Sequence, residues 1–415
     1  MHLTPEQIAK IRQKETETSK ALKRNPLNNY TEGWFHVTLN VRGETPVLGY
    51  IVGNADAADD SPNAPRCVLT ELGKKVEESW RTITSYYPEV EIDEFKAMPE
   101  HVHGLLHLKA TNRVHLGQII RGFMIGCTHG YWEIMGIAYG EKEQKNGGIP
   151  LVSTDRDHTR SFRGPALFVR GYNDVEAIGE AEIETKRQYI RNNPRKRLIS
   201  RSKPDCFYVH RNMKSTNWTP ERIMQGLCAD RFIAADRSKQ VEAWRQITTK
   251  GIRNSHGKVS ATLKLQDTIP VLDLVGNMQL LQRPLFPLVC HRADAHLFER
   301  QKAAMLNAAR EHGAVIVTAC VSPKEREIVK LLQQELLPVI EVMDNGFNEK
   351  YKPMGKNFYA VAEAQRLEVS PWEYEYRQRG NDEAPDISRE MCMVMNEVVR
   401  MIAKKPDDWW IGSIS

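Results

Sequence analysis

Cysteine is scarce in this sequence and forms no motif. The chain has seven cysteines in 415 residues, and no two of them make a CxxC pair. An odd, scattered set is not expected to build a disulfide framework, and it lacks the ligand spacing of a zinc finger. We therefore expect reduced thiols and a cytoplasmic protein.

Long apolar runs are also lacking. No segment approaches the roughly 18–20 apolar residues that span a bilayer, so we expect no membrane partner. The first residues are rich in charged side chains and lack the apolar centre of a signal peptide. They predict a polar N-terminal helix over residues 1–27.

Neither sign of charge dominates the composition. Lys and Arg together number 58 and Asp and Glu 53, which gives a formal net charge of +5. The isoelectric point is about 8.7. This mildly basic balance permits an anionic partner such as a nucleic acid, but it does not require one.

The pattern of strands and helices predicts two domains of different class. Residues 28–220 read as short strands and helices, which predicts an α+β domain with an antiparallel sheet and helices on one face. Residues 221–274 have mixed polarity and predict a helical connector. Residues 275–415 alternate apolar runs with amphipathic helices, which predicts an α/β domain whose parallel sheet is covered on both faces.

Two histidines lie one residue apart in the apolar segment "FKAMPEHVHGLLHL". Because successive side chains of a strand point to opposite faces, we expect His101 and His103 to share one face. Two neighbouring imidazoles either bond to nearby groups and water or hold a metal ion. Their spacing alone is compatible with both.

A lone tyrosine lies in the densest basic stretch of the chain, "KRQYIRNNPRKRLISRSKP". Tyr189 and Asn193 are four residues apart and are expected on one helix face. A charge run is most often a solvated face, but this one meets almost no acid before Asp205. Its composition is typical of a surface that binds phosphates. The predicted DNA-binding residues are Lys186, Arg187, Arg191, Arg195, Lys196, Arg197 and Arg201.

These residue types suit a metal-assisted reaction at a phosphodiester. A tyrosine hydroxyl, with a pKa of about 10, is a weak nucleophile at neutral pH. A divalent ion held by two imidazoles and an amide oxygen could polarise the phosphate and leave positions for its oxygens. Mg²⁺ prefers oxygen ligands and Mn²⁺ accepts imidazole more readily, so either is the expected cofactor. The product would be a covalent phosphotyrosine.

The motifs "MPEHVHGLLHL" and "QYIRNNPRKRL", in this order, resemble the single-tyrosine HUH transposases, specifically the REP-associated tyrosine transposase group. The segments "GWFHVTLNVRG", "LGQIIRGFMIG" and "ALFVRGYND" look like further landmarks of that family. The similarity covers about residues 30–200. Family members usually have a shorter connection than the one at 140–165 here, which puts DNA selection in doubt.

The resemblance implies a ferredoxin-like catalytic domain that nicks and rejoins single-stranded DNA, often with hairpin structure. It implies that His101 and His103 bind the divalent metal and that Asn193 completes the metal site. Tyr189 would attack the DNA to give a 5′-phosphotyrosine link. A monomer and a homodimer are both compatible with the sequence.

The C-terminal part resembles the Rossmann-like domain of DNA-processing protein A over about residues 275–376, most specifically in "DNGFNEKYKPMGKNF". Ligands of such sheets bind at the carboxyl ends of the strands. No glycine-rich phosphate loop follows either of the first two strands, which favours a scaffold or DNA-contacting module. The residues expected near any ligand are Cys290, His291, Arg292, Thr318, Ser322, Asp344, Asn345 and Gly346.

Other interpretations of the same residues stay open. Tyr172 and Tyr208 are competing nucleophiles that we expect to be structural, and His36 and His115 are expected to be packing or surface residues. Trp34 could stack on bases but fits a core position better. A domesticated DNA-binding or regulatory protein without turnover is the alternative function, and a structural or assembly protein is a third. The intact His and Tyr motifs favour activity.

Overall fold

The computed structural model describes residues 29–137, 165–215, 218–229, 242, 245–253, 259–375 and 387–411. The chain divides into two compact units, residues 1–201 and 202–415. The helix expected at 1–27 and almost all of the 140–165 connection lie outside the described residues. None of the described helices is long and apolar enough to cross a membrane.

The first unit contains one four-stranded antiparallel sheet and a separate hairpin. Its strands are β1 Gly33–Asn40, β2 Gly49–Val52, β3 Arg66–Leu69, β4 Val90–Ala97, β5 His101–Leu108 and β6 Asn173–Ala177. The main sheet has the order β4-β5-β1-β6, and β2 pairs with β3. Its helices are α1 Glu71–Arg81, α2 Leu116–Ile134, α3 Glu180–Arg191 and α4 Asn193–Ser202, and a single helical turn, Ile83–Tyr86, follows α1.

The alternation of side chains gives the main sheet two different faces. Phe35, Val37 and Leu39 of β1 are fully buried in the cluster that contains residues of α1 and α2. The opposite face receives α3, whose Ile183 and Ile190 pack with Leu105 of β5. Helices were expected on one face only, but the apolar side of α3 needs a second buried surface. The polar residues of β1 and β5 therefore lie under the tyrosine helix.

Helix α1 begins later than the apolar spacing predicts. The spacing extends the helix back to Val68 and Leu69, whereas the structure places both in β3, paired with β2. The helix begins after Thr70, whose side chain accepts a hydrogen bond from the backbone N–H of Gly73. A Thr at this N-cap position satisfies one of the free donors of the first turn.

Gly104 allows β5 to lie close to α1. A Cβ added at this position would lie 2.2 Å from Cζ2 of Trp80, which is fully buried. We expect Gly104→Ala to lower the free energy of unfolding by about 1–3 kcal/mol, because the fixed indole cannot move away.

The midpoint of urea unfolding measures this effect, with Gly126→Ala as the control. Gly126 lies in α2, where a Cβ would come no closer than 3.9 Å to any neighbour, so that variant should be unchanged or slightly more stable. An unchanged midpoint for Gly104→Ala would contradict the packing argument.

The second unit contains a seven-stranded mixed sheet and a small hairpin. Its strands are β7 Val209–Lys214, β8 Ile252–Arg253, β9 Val259–Ala261, β10 Leu265–Gln266, β11 Ile269–Gly276, β12 Leu285–Leu288, β13 Val315–Thr318, β14 Val339–Val342 and β15 Arg366–Ser370. Its helices are α5 Pro220–Ala229, α6 Phe298–Glu311, α7 Pro323–Gln334, α8 Lys356–Ala362 and α9 Arg389–Ala403.

The second sheet is mostly parallel, as expected. Its order is β10-β11-β15-β14-β13-β12, with β7 also paired to β11. Strands β12 to β15 run parallel, and β11 is antiparallel to β15. Residues of α6 and α7 pack with Ile316 on one face, and residues of α9 pack with Val315 and Val317 on the other. The prediction of helices on both faces is confirmed.

The structure differs from the predicted connector at 221–274. Those residues contain most of β11, a central strand of the second sheet, and β7 pairs with it although the first domain was expected to end near residue 220. The acidic Asp273 interrupts the apolar run of β11 and obscures it in the sequence. In the fold it is 1% exposed, and Lys264 and Arg211 each pair with it at 2.6 Å.

Candidate metal and tyrosine site

The two histidines of β5 share one face of the first sheet, as predicted. His103 is paired in register with Thr38 of the neighbouring β1, and His101 with Asn40. Val102 between them is fully buried in the cluster that contains residues of α1 and α2. Both imidazoles therefore lie on the face that α3 covers.

The imidazoles are in direct contact. Nε2 of His101 lies 3.1 Å from Nε2 of His103. Nδ1 of His103 lies 3.0 Å from the Thr38 hydroxyl and 3.2 Å from Nε2 of His36. Nδ1 of His101 faces the carboxylate of Glu100 at 3.4 Å. Each nitrogen of the pair thus has a polar neighbour.

The carboxylate beside His101 indicates which of its two ring nitrogens carries the proton. A nitrogen that faces a carboxylate carries the proton, so in the neutral ring the other nitrogen, Nε2, has a free lone pair. That lone pair points towards His103. Two nitrogens bound about 2.1 Å from one ion at a right angle would lie about 3.0 Å apart, close to the separation seen here. The pair therefore has the spacing of two ligands of one ion.

Tyr189 of α3 lies over the histidines. Its ring centroid is 5.3 Å from that of His103 and 5.5 Å from that of His36. The residue is 40% exposed, so Tyr189 is only partly covered by its neighbours. Partial burial raises the pKa of Tyr189, and a hydrogen bond from Asn193 opposes that rise. The phenol is therefore protonated at neutral pH and needs activation.

Asn193 joins the tyrosine to the histidines. Its Nδ2 donates a 2.8 Å hydrogen bond to the backbone carbonyl of Tyr189, one turn earlier. Its side chain also interacts with His103, and this interaction raises the pKa of that imidazole. The Asn193 amide therefore lies beside both Tyr189 and His103. The four predicted residues, from β5, α3 and α4, lie in one cluster.

The two histidines provide three ligands for a divalent ion only if the side-chain oxygen of Asn193 is counted with them. Among the described residues, no three His, Cys, Asp or Glu side chains converge on one point as a metal site. The ligands would therefore be two imidazole nitrogens and the Asn193 oxygen. This set leaves positions for phosphate oxygens and water, and its nitrogen content suits Mn²⁺ better than Mg²⁺.

The buried imidazoles stay neutral. Burial, and then Lys186, lowers the pKa of His36 to about 4. Burial lowers the pKa of His103 well below its usual range, and the neighbouring His101 and His36 add to this. A metal ligand has to be neutral imidazole, so the environment favours the binding form.

His36 belongs to this cluster, although a packing or surface role was expected from the sequence. It is 7% exposed and contacts both His103 and Tyr189. Its Nε2 faces the Nδ1 side of His103, so it adjoins the metal pair without sharing its lone-pair site. The available signal is its alternation with Phe35 and Val37, which places it on the polar face of β1.

Most of the predicted DNA-binding arginines have acidic partners. Arg187 pairs with Asp93 at 2.8 Å and with Glu180 at 2.9 Å, and it lies over the Trp34 ring. Arg191 pairs with Glu94, Arg195 with Asp59, and Arg197 with Glu100. Any contact of these four with phosphate would compete with an existing ion pair, and their DNA binding stays a prediction.

The remaining predicted basic residues lie differently. Nζ of Lys196 is 4.9 Å from the centre of the Tyr189 ring, and burial lowers its pKa. Lys186 is close enough to His36 to lower the pKa of that imidazole. Arg201 lies in the last turn of α4 and is exposed, with no acidic partner in the described part of the chain. Of the three, Lys196 lies beside the nucleophile and Arg201 is the exposed one.

The other aromatic candidates have structural surroundings. Trp34 stacks on His107 at 4.6 Å and takes part in the packing under α3. His115 caps α2, since its Nδ1 accepts from the backbone N–H of Gly117 at 2.9 Å. Tyr208 is 62% exposed and lies in the second unit. None of the three belongs to the histidine cluster.

The second unit has a cavity beyond the carboxyl end of β12. Its volume is about 520 Å³, and it is lined by Arg222, His291, Asp294, Arg400, Lys405, Pro406, Asp407 and Asp408. Asp407 accepts hydrogen bonds from Arg400 at 2.7 Å and from His291 at 2.8 Å. The cavity is lined by both acidic and basic side chains, and Asp407 already pairs with two of the basic ones. Its lining therefore favours no ligand class.

Comparisons with known proteins identify no activity. No protein-family model matches the chain. A curated protein of Haemophilus influenzae, itself described as uncharacterized, is 26% identical over 129 residues. The match covers 26% of this chain and 66% of that protein's length. Any function of this chain therefore has to be inferred from the residues of the site.

Proposed function

We propose that the protein is a metal-dependent single-stranded DNA endonuclease and strand transferase of the HUH transposase type, acting through Tyr189. The observation that carries this proposal is the meeting of Tyr189, Asn193, His101 and His103 from three separate elements. A nucleophile, an oxygen donor and two imidazole nitrogens in contact are the parts that this chemistry needs.

The proposed reaction is a transesterification at phosphorus. The Tyr189 oxygen forms a bond to the phosphorus and loses its proton, the bond to the 3′ oxygen breaks, and that oxygen takes up a proton. The 5′-phosphotyrosine link keeps the phosphodiester energy for a later joining step by a 3′-hydroxyl. Bound Mg²⁺ or Mn²⁺ would polarise the phosphate and neutralise the charge that develops.

Each residue of the chain has a separate task in this proposal. His101 and His103 would hold the ion by nitrogen, and Asn193 would hold it by oxygen while its Nδ2 stays bonded to the backbone carbonyl of Tyr189 in α3. Lys196, next to the Tyr189 ring, stabilises negative charge on the phenolate or the phosphate. Partial burial of the cluster strengthens these interactions, because screening by water is reduced.

The order of strands and helices in each unit is compatible with the fold type that this proposal assigns to it. The first unit alternates strands and helices as β1-α1-β4-β5-α2-β6 around the order β4-β5-β1-β6, which is the connectivity of a ferredoxin-like domain. In the second unit, four parallel strands with helices on both faces are compatible with a Rossmann-like domain. We propose for it a scaffold or DNA-contacting role, without catalysis.

The test is a search for a covalent adduct. Purified protein is incubated with single-stranded hairpin oligonucleotides and Mn²⁺ or Mg²⁺, and the products are separated on a denaturing gel. We expect a protein–DNA band that requires the metal and disappears with a chelator. Tight DNA binding without an adduct, across several hairpins and both ions, would instead favour the domesticated DNA-binding protein.

The arginines of the predicted DNA surface should differ in their effect on binding. We expect Arg201→Ala to weaken single-stranded DNA binding and to reduce the slope of log K against log salt by about 0.7, the value for one lost phosphate contact. Arg187→Ala should leave the slope unchanged but lower the free energy of unfolding by about 1–3 kcal/mol, because it removes the charged hydrogen bonds to Asp93.

Fluorescence anisotropy at several salt concentrations measures the slope, and a urea titration measures stability. Equal slopes for wild type and Arg201→Ala would exclude Arg201 from phosphate contact. A reduced slope for a well-folded Arg187→Ala protein would mean that DNA displaces Asp93.

A further inference from the structure

We propose that Glu100 is a positioning residue for the metal site, with Arg197 holding its carboxylate. This inference rests on the proposed function, because it concerns the histidine pair assigned to the metal. It adds a residue that lies in the first motif but that the assigned ligand set leaves out. It also gives Arg197 a task other than contact with DNA.

The Glu100 carboxylate lies between β5 and α4, two of the three elements that form the site. Its Oε1 is 3.4 Å from Nδ1 of His101 at the start of β5, and 3.0 Å from Nη2 of Arg197 in α4. The side chain is 14% exposed. Its Oε2 is buried and has no hydrogen-bond partner in the described part of the chain. Leaving such an oxygen unpaired costs free energy, so its position calls for an explanation beyond packing.

The backbone around Glu100 is held on both sides. The N–H of Val41 donates to the Glu100 carbonyl at 2.8 Å, and the N–H of Met98 donates to the carbonyl of His101 at 2.8 Å. The N–H of Leu48 donates to the carbonyl of Pro99 at 3.0 Å. These bonds fix the backbone of the turn between β4 and β5, so the Glu100 side chain starts from a fixed position beside His101.

A carboxylate on one imidazole nitrogen prepares the other nitrogen for a metal ion. It keeps the proton on Nδ1, sets the ring orientation and makes Nε2 a better donor. Loss of such a partner typically weakens metal binding by about 10- to 100-fold. Arg197 neutralises the buried carboxylate and links it to α4, the helix that supplies Asn193. The ion pair therefore aligns ligands from two separate elements.

The experiment measures Mn²⁺ affinity without DNA, so it does not depend on nuclease activity. We expect Glu100→Met, which keeps the length but removes the acceptor, to bind Mn²⁺ about 10- to 100-fold more weakly than wild type. Glu100→Gln, which keeps an uncharged acceptor, should be intermediate. The order of affinities is the readout that a purely structural role would not produce. Electron paramagnetic resonance of free Mn²⁺ gives the dissociation constants.

The matched control is Glu91→Met. Glu91 faces Nδ1 of His107 at 3.2 Å, on the same pair of strands but outside the cluster, so its loss should leave Mn²⁺ affinity unchanged. Wild-type affinity in a folded Glu100→Met protein, or no Mn²⁺ binding by wild type, would overturn the inference. If the Glu100 variants weaken Mn²⁺ binding but wild type forms no DNA adduct, the proposed reaction fails and the positioning role stands.

Discussion

A Tyr189→Phe protein is expected to form no covalent adduct with single-stranded DNA. The substitution removes only the hydroxyl oxygen, which is the nucleophile in the proposed reaction. We expect the rate of adduct formation to fall by about 1000-fold or more, because the phenyl ring that remains has no nucleophilic atom. DNA affinity should stay close to that of wild type, since the predicted phosphate contacts come from other side chains.

The packing of the site should survive this change. The contacts of Tyr189 with His36 and His103 are ring contacts, and Nζ of Lys196 lies over the ring face. Phenylalanine retains these contacts, and the side chain is 40% exposed, so the lost hydroxyl leaves little buried space. An unchanged circular dichroism spectrum and urea midpoint would show that a missing adduct reports on chemistry.

The matched control is Tyr208→Phe. Tyr208 is the more exposed tyrosine, at 62%, and its ring packs edge-on against His210 at 4.9 Å. It has the same hydroxyl, and exposure alone would make it the better candidate. Adduct formation should be normal in this variant. An adduct that persists in Tyr189→Phe and disappears in Tyr208→Phe would move the nucleophile out of the histidine cluster.

The histidine pair is the part of the site that strand periodicity predicts best. Alternation along a strand places His101 and His103 on one face, and the structure confirms this. The same rule applied to β1 would have placed His36 on a polar face as well. It could not show that β1 and β5 are neighbours in the sheet, because pairing depends on contacts far apart in the sequence. The complete cluster can therefore be identified only when the pairing of β1 with β5 is known.

The basic stretch shows what a local sequence pattern misses. From the sequence, its cations face almost no acid, yet Asp93 and Glu94 pair with Arg187 and Arg191 from a strand more than ninety residues earlier. A count of charges along one segment cannot include partners that the fold supplies. The prediction of a phosphate surface now depends most on Arg201, which is exposed and has no acidic partner in the described part of the chain.

Strand β11 of the second unit could not be recognised from the sequence for a related reason. The apolar runs of β12, β13 and β14 are nearly continuous, so they can be recognised as buried strands from the sequence. Strand β11 carries Asp273 in its centre, and such a residue argues against a buried strand unless cations neutralise it. Those cations, Lys264 and Arg211, both precede β11 in the sequence, and Arg211 lies 62 residues before Asp273. Only the fold brings the three together.

Replacing His101 by leucine is expected to abolish the metal site while leaving the sheet intact. Leucine has a similar volume but no lone pair, and the His101 side chain is 19% exposed, so the structural cost should be small. We expect Mn²⁺ affinity to fall by more than the roughly 10- to 100-fold that the loss of an outer partner causes. Adduct formation should fall below detection at micromolar Mn²⁺ and return in part at high concentration, because a weakened site still fills by mass action.

His107→Leu is the control for this prediction, because it changes the same residue type on the same face of β5. His107 pairs with Glu91 and stacks on Trp34, away from the tyrosine, so Mn²⁺ affinity and adduct formation should be unchanged. Equal effects of the two substitutions would mean that the histidines stabilise the sheet and hold no ion. A large effect of His101→Leu alone, on Mn²⁺ affinity and on adduct formation together, would tie the reaction of Tyr189 to an ion bound between His101 and His103. The close contact of the two Nε2 atoms would then be explained as the spacing of two ligands.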